Sequence, residues 1–365
     1  MNINKNNYCV IMAGGIGSRF WPMSRTDKPK QFLDVMGVGE SLIQMTYRRF
    51  EKICPKDNIY IVTSEMYKGL VAEQLQGIKE DRIICEPARR NTAPCITYAN
   101  FRILKDNPNA NIIVAPSDHL ILKEDVFIQI IEHALNIVAK NDILITLGIK
   151  PSYPNTGYGY IQFGNNDSLQ SDSDVKKVKL FTEKPNLEMA EKFIQSGDFL
   201  WNAGIFVWSL NSINKALAEF LPDIYNAFVA GKDIFNTENE KDFINETYTS
   251  CQSISIDYGV MEKAPNVYVI PSDFGWSDVG TWKALYDVRD KDSNGNSITG
   301  KNIMTYDSSD NIITVDDDKL AVIHGLHDYI VVNSKNTLLI CKKDGEQKIK
   351  QFITDVEVKK GKEYL

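Results

Sequence analysis

An apolar run, YCVIMA (8–13), leads into Gly14, Gly15 and Gly17, and these are followed by Arg19, Arg25, Lys28 and Lys30. Glycines at the carboxyl end of a strand let backbone N–H groups approach an anion and permit positive φ. Open α/β sheets bind ligands along that same edge. The chemistry implied is the binding of a phosphate-bearing ligand. A dinucleotide fingerprint requires G-x-G-x-x-G, and Phe20 stands where the third glycine belongs. A P-loop requires G-K-[ST] after its last glycine, and that is absent. The density of cations suits a triphosphate better than a pyrophosphate bridge, with Arg19 nearest the glycines. The competing reading is a tight turn followed by a solvated basic loop, and Arg25 and Lys28 fit either.

Two further acids stand at positions where chemistry is common. Asp118, in APSDH, follows the apolar run NIIVAP, and Asp278, in GWSDVGTW, follows a turn. Their separation in the chain pairs them with nothing, and each reads locally as a helix N-cap or a turn residue. Glu86 closes the run RIICE ahead of PARRNT, where it could cap or pair with Arg89 or Arg90. The histidines are His119, His133, His324 and His327. His324 and His327 form H-x-x-H, but no cysteine or acidic cluster beyond Asp328 supports zinc there.

The elements that must position these residues alternate regularly. YCVIMA, NIYIVT (58–63), RIICE (82–86), NIIVAP (111–116) and DILITLG (142–148) read as strands, separated by amphipathic helix-like stretches such as TAPCITYANFRILK and FIQIIEHALNIVAK. That alternation predicts βαβ units and a doubly wound, mostly parallel α/β sheet of Rossmann-like type. TGYGYIQFG, VKKVKLFTEKP and GIFVWSL read as a substrate-binding insertion on the same sheet. After the polar stretch RDKDSNGNSITGKN (289–302), short β-like runs recur to the end and a helix closes the chain. This predicts a main domain over 1–288 and a small β-rich, β-helix-like domain over 289–365.

Composition narrows the partners. A net charge of −7 over 365 residues disfavours a general nucleic-acid binder. The N-terminus lacks the apolar core and cleavage site of a signal peptide, and no stretch has the length of a membrane span. The six cysteines lack C-x-x-C spacing and read as free thiols in a reducing cytoplasm.

GGIGSRFWPMSRTDKPKQF resembles the signature of the sugar-nucleotide pyrophosphorylases. WPMSR and PKQF are similar to its mannose-1-phosphate guanylyltransferase branch. EPARRNTAP (86–94), APSDH (115–119), TGYGYI (156–161), FTEKP (181–185), WNAGIF (201–206), IDYGVMEK (256–263) and GWSDVGTW (275–282) follow in the family's order. The tail is similar to that of the family's short form, which lacks an isomerase domain. The resemblance implies nucleotidyl transfer from GTP to mannose 1-phosphate. It places Arg19 on the β- and γ-phosphates, Lys30 near the α-phosphate, and Mg²⁺ on Asp118 and Asp278. Gly14, Gly15 and Gly17 would cradle the nucleotide, and Glu86, helped by Asn91 and Thr92, would read the base. Gly159, Glu183, Lys184 and Asn202 would hold the sugar phosphate, with Tyr158 and Trp201 as packing residues. The β-rich tail is a candidate homodimer interface. Two alternatives stay open: a related transferase with another base or sugar, and a non-catalytic regulator that binds GDP-mannose. A nicotinamide-dependent oxidoreductase fits less well, for want of the third glycine.

Overall fold

The computed structural model describes residues 3–15, 17–170 and 172–365, without the side chains of residues 18 and 165–167. The chain packs as two compact units. One comprises Met1–Gly14, Tyr47–Ser117 and Ile121–Trp276; the other comprises Gly15–Thr46, Asp118–Leu120 and Ser277–Leu365.

The first unit is built on a nine-stranded sheet. Its strands are β1 (Asn7–Met12), β2 (Ile59–Ser64), β3 (Ile83–Glu86), β4 (Asn111–Pro116), β5 (Leu144–Ile149), β6 (Gly159–Leu169), β7 (Asp172–Glu183), β8 (Phe199–Ser209) and β9 (Val267–Ser272). Their order across the sheet is β3-β2-β1-β4-β8-β5-β9-β7-β6. β1, β2, β3 and β4 form the expected parallel block, and β5 and β9 are also parallel to each other. β1, β2, β4 and β5 are buried along nearly their whole length, as strands covered by helices on both faces must be.

β8 joins the middle of the sheet antiparallel to both β4 and β5, and β6 and β7 pair antiparallel at the far edge. The sequence of β8, FLWNAGIFVWS, is apolar on both faces, which suits a central strand. Apolar character carries no information about direction, so this reversal has no local signal.

Among the helices of this unit, α1 (Thr92–Asp106) starts at Asn91, whose side chain accepts from Thr92 N. α2 (Glu124–Val138) carries Glu124 and Asp125 in its first turn, where the helix dipole favours negative charge. α3 (Leu210–Phe220) is capped by Ser209, which accepts from Ser212 N. α4 (Glu240–Ser250) buries Ile244 and Tyr248. The core of the unit includes Tyr98, Phe101, Phe228 and Phe235, and the rings of Phe101 and Phe235 stack 5.5 Å apart.

The second unit gathers β10 (Ser297–Thr299), β11 (Ile303–Tyr306), β12 (Ile312–Val315), β13 (Ala321–His324), β14 (Tyr329–Ser334) and β15 (Thr337–Lys342) with α5 (Trp282–Val288) and α6 (Ile349–Lys360). β10, β12 and β14 stack in parallel register, as do β11 and β13, and this is the β-helix-like stacking expected of the tail. Asparagines tie successive coils: Asn311 Nδ2 donates to Asn296 Oδ1 at 2.9 Å and to Leu326 O at 2.8 Å. The core of this unit brings Phe20, Trp21 and Leu33 from the N-terminal loop together with Val279, Trp282, Ile330 and Ile349. The glycine- and cation-rich segment therefore folds with the C-terminal residues.

Candidate active site

The phosphate-loop candidate is shaped from within the second unit. Gln31 Nε2 donates to Gly15 O at 2.9 Å, and Ser24 Oγ donates to Gly17 O at 2.7 Å. With the Gly17 carbonyl anchored, the following N–H points the opposite way, as a trans peptide requires. Gly17 has φ +58°, and a Cβ there would lie 2.5 Å from Lys30 Cβ. Only glycine satisfies both the left-handed backbone and the close approach to Lys30.

Lys30 is buried beneath this turn. Its ammonium lies 2.9 Å from Asp118 Oδ2, and it donates to Asp278 O at 2.7 Å and to Val279 O at 3.2 Å. Burial works to raise the Asp118 pKa, but the charges of Lys30 and His119 and the Lys30 hydrogen bond outweigh it, so the net shift is downward. The Asp278 carboxylate accepts from Gly280 N at 3.0 Å. Gly17, Arg19, Lys30, Asp118 and Asp278 line one cavity of about 290 Å³, together with Lys350. The structure thus brings together all four residues expected to do the chemistry. The cavity joins two carboxylates to three cations.

In the first unit, Glu86 ends β3 and is held from below. Tyr248 Oη donates to Glu86 Oε1 at 3.0 Å, and the Cys95 thiol also bonds the carboxylate. Burial pushes the Glu86 pKa up to about 7, against the opposing hydrogen bonds and the Arg89 charge. Gly14 stands over this carboxylate: a Cβ there would lie 3.8 Å from Glu86 Oε2. Arg90 is occupied elsewhere, donating to Tyr248 O at 3.1 Å and to Thr249 O at 3.2 Å. Asn91 and Thr92 have structural duties, the first as the cap of α1 and the second accepting from Ile256 N at 2.8 Å.

A third group, also in the first unit, surrounds the start of β6. A Cβ on Gly159 would run into Glu183 Oε2, so the glycine leaves that carboxylate its present position against the strand. Lys184 forms an ion pair with Glu183. Asn202 Nδ2 donates to Asp257 Oδ1 at 2.9 Å, while Thr146 Oγ1 donates to Asn202 Oδ1 at 2.9 Å. Burial, followed by the Glu183 charge, raises the Asp257 pKa to about 6. Tyr158 and Trp201 pack edge-to-face at 5.1 Å.

Residues 8–295 match the nucleotidyl transferase family, and residues 301–355 match the MannoseP isomerase/GMP-like beta-helix domain. The chain is 36% identical to a mannose-1-phosphate guanylyltransferase of Escherichia coli, covering 97% of this chain and 76% of that protein. It is 39% identical to mannose-1-phosphate guanylyltransferase 2 of Escherichia coli O157:H7, covering 98% and 74% respectively. The chain belongs to the mannose-1-phosphate guanylyltransferase family. It is an enzyme of the nucleotidyltransferase class. The crystal structure of a Thermus thermophilus protein described as a mannose-1-phosphate geranyltransferase superposes with a TM-score of 0.85 at 27% identity, covering 96% of this chain and 99% of that one.

Three residues at these groups are not among the candidates read from the sequence. Asp257, Tyr248 and Lys350 gain their meaning only from Asn202, Glu86 and the cavity around Lys30, each far away along the chain. The asparagine at 202 and the IDYGVMEK motif were signals for Asp257; Tyr248 and Lys350 had none. Arg25 stands apart from the cavity lined by Arg19 and Lys30. It is buried, and its guanidinium donates to Asn336 Oδ1 at 2.8 Å and to Ser334 O at 3.2 Å. His324 pairs with Asp307 at 3.2 Å and His327 contacts Ser309 at 3.0 Å, so the H-x-x-H histidines turn to separate partners. No helix among the described residues is long and apolar enough to cross a membrane.

Proposed function

We propose that this protein transfers GMP from GTP to α-D-mannose 1-phosphate, releasing pyrophosphate. A phosphate oxygen of the sugar attacks the α-phosphorus, and the bond from that phosphorus to the oxygen bridging the β-phosphate breaks with its electron pair going to pyrophosphate. Attacker and target are both anions, so catalysis rests on positioning and charge neutralisation rather than on an activated side-chain nucleophile. The observation that carries this reading is the single cavity lined by Arg19, Lys30, Asp118 and Asp278, with Lys30 bridging both aspartates.

In this reading Arg19 receives the β- and γ-phosphates, for which a guanidinium fork is suited. Lys30 holds Asp118 ionised and faces the α-phosphate. Asp118 and Asp278 fit Mg²⁺: two hard carboxylate oxygen donors in a phosphate cavity are its usual protein ligands, substrate phosphates and water supplying the rest. Bound there, Mg²⁺ would neutralise phosphate charge. Gly14, Gly15 and Gly17 admit the nucleotide backbone. Glu86, fixed by Tyr248, accepts from guanine N1–H and N2–H₂, with Asn91 and Thr92 shaping the turn beside it. Glu183 and Asp257 accept from sugar hydroxyls, Asn202 and the Gly159 backbone hold the ring, and Lys184 takes the sugar phosphate.

The six unpaired cysteines and a nucleoside triphosphate substrate suit a reducing cytoplasm. A homodimer through the tail belongs to this reading, supported by exposed apolar neighbours there: Met304 and Val322 are register partners on β11 and β13, 47% and 60% exposed. Sedimentation as a monomer at micromolar concentration would refute the dimer.

The deciding experiment measures pyrophosphate release with Mg²⁺, crossing GTP, UTP, dTTP, ATP and CTP with mannose, glucose and N-acetylglucosamine 1-phosphates. The expected result is release confined to GTP with mannose 1-phosphate. Release with another pair overturns the base or sugar assignment. No release with any pair, combined with tight GDP-mannose binding, turns the reading to a regulator.

A further inference from the structure

We propose that Lys350, in the first turn of α6, is a substrate-binding residue that grips the departing pyrophosphate. The C-terminal segment would then complete the phosphate site. The inference rests on the reaction proposed above.

Three cations line the cavity: Arg19, Lys30 and Lys350. Lys30 is already neutralised by Asp118 at 2.9 Å and saturated by the Asp278 and Val279 carbonyls. Among the described residues, neither Arg19 nor Lys350 forms an ion pair. These two are the cations left to meet the β- and γ-phosphates. Arg19 and Lys350 also share a second, smaller recess with Thr281 and Ile349, so the two cations flank one surface.

Lys350 is exposed, but the backbone that carries it is not loose. Its neighbour Ile349 is 1% exposed, in the core cluster that contains Phe20, Val279 and Trp282. Just upstream, Glu346 Oε2 accepts from Lys283 N at 3.0 Å. Beyond α6, Trp21 Nε1 donates to Tyr364 O at 2.7 Å, and Arg25 Nη1 donates to Glu363 O at 3.2 Å. The far end of the terminal segment is thus fastened to the loop that carries Arg19, and its near end to α5. Arg25 gains a role in this arrangement: it anchors the segment that presents Lys350.

Charge builds up on the β-phosphate side as the α–β bond breaks. An ammonium and a guanidinium held on that side stabilise the leaving group at the moment of bond cleavage. GDP-mannose, which lacks the leaving pyrophosphate, would make no use of Lys350.

The test is calorimetric titration of pyrophosphate, in the presence of Mg²⁺, into the full-length wild type and the Lys350→Ala and Lys350→Arg variants, with GDP-mannose titrated in parallel. The expected result is pyrophosphate affinity lowered about tenfold or more by Lys350→Ala, recovery by Lys350→Arg, and unchanged GDP-mannose affinity. Equal pyrophosphate affinity in wild type and Lys350→Ala overturns the inference. So does an equal loss of GDP-mannose affinity, which would mark a general disturbance. If the wild type makes no GDP-mannose yet Lys350→Ala still weakens pyrophosphate binding, the reaction assignment fails while the pyrophosphate site stands.

Discussion

The Lys30 ammonium contacts the Asp118 carboxylate at 2.9 Å and the Asp278 carbonyl at 2.7 Å, so one buried lysine ties together the two aspartates of the cavity. An ammonium has three N–H donors, and with Val279 O as the third acceptor all of them are committed. Lys30 thereby keeps Asp118 ionised and sets its orientation. Asp118→Asn removes the charge and keeps the shape. The expected outcome is a fall in kcat of at least about 100-fold with the fold retained, measured as pyrophosphate release at saturating Mg²⁺ alongside circular dichroism. An unchanged kcat would overturn the proposed assignment of Asp118 to Mg²⁺.

Gly17 is the backbone counterpart of that lysine. Its φ is +58°, and an added Cβ would lie 2.5 Å from Lys30 Cβ and 2.8 Å from Lys30 N. Lys30 N is backbone at the start of a buried turn and cannot swing aside. Gly17→Ala is therefore expected to destabilise the protein by about 2–4 kcal/mol, from strained φ and overpacking together. Urea unfolding reads this directly. A variant as stable as wild type would mean that the turn has room to move.

Much of this was legible in the residues. The strand runs, the parallel block β1–β4 and the clustering of Lys30, Asp118 and Asp278 follow from apolar periodicity and from ordered motifs. The rest was hidden for identifiable reasons. Arg25 stands in the same cation run as Arg19, yet it is buried against Ser334 and Asn336, partners some three hundred residues away. Asp257 is one acid among many until Asn202 donates to it. β8 declares that both its faces are buried but not that it runs antiparallel, because strand direction depends on the connections and leaves no trace in side-chain type.

Glu86 gives the protein a pH dependence of definite sign. Its pKa rises from 4.5 unfolded to about 7 folded, so the folded state holds the extra proton between those values. Stability contributed by this proton is present at acidic pH and is lost as pH rises toward 7. Glu86→Gln keeps the shape and the Tyr248 hydrogen bond without the charge. It is expected to be about 1–3 kcal/mol more stable than wild type at pH 8 and nearly equal to it at pH 5, by urea unfolding at both. Function should move the other way. Guanine N1–H and N2–H₂ need an ionised acceptor, so the wild-type KM for GTP should fall between pH 6 and 8, and this dependence should vanish in the variant. A variant with the wild-type KM profile would show that Glu86 does not read the base.

Asp257 offers a parallel test at the sugar group, with a different readout. Thr146 Oγ1 at 2.9 Å and Gly204 N at 3.1 Å both donate to Asn202 Oδ1, which turns the Asn202 amide nitrogen toward Asp257. In Asp257→Asn the new amide must present its oxygen to Asn202, and its NH₂ then occupies the other carboxylate position. A sugar hydroxyl that donated to that position meets a donor instead. The expected outcome is a KM for mannose 1-phosphate raised about tenfold, with kcat and the KM for GTP little changed. Protonation has the same effect in the wild type: with a folded pKa of about 6, the acceptor is lost as pH falls below that value. The second ionisation of the sugar phosphate itself, with a pKa of about 6, acts on wild type and variant alike, so the wild-type KM for mannose 1-phosphate should climb more steeply from pH 7 to 5.5 than that of the variant. The charges of Glu183 and Lys184 act on the same carboxylate and remain in the variant, so a climb equally steep in both proteins would leave Asp257 as a packing partner of Asn202.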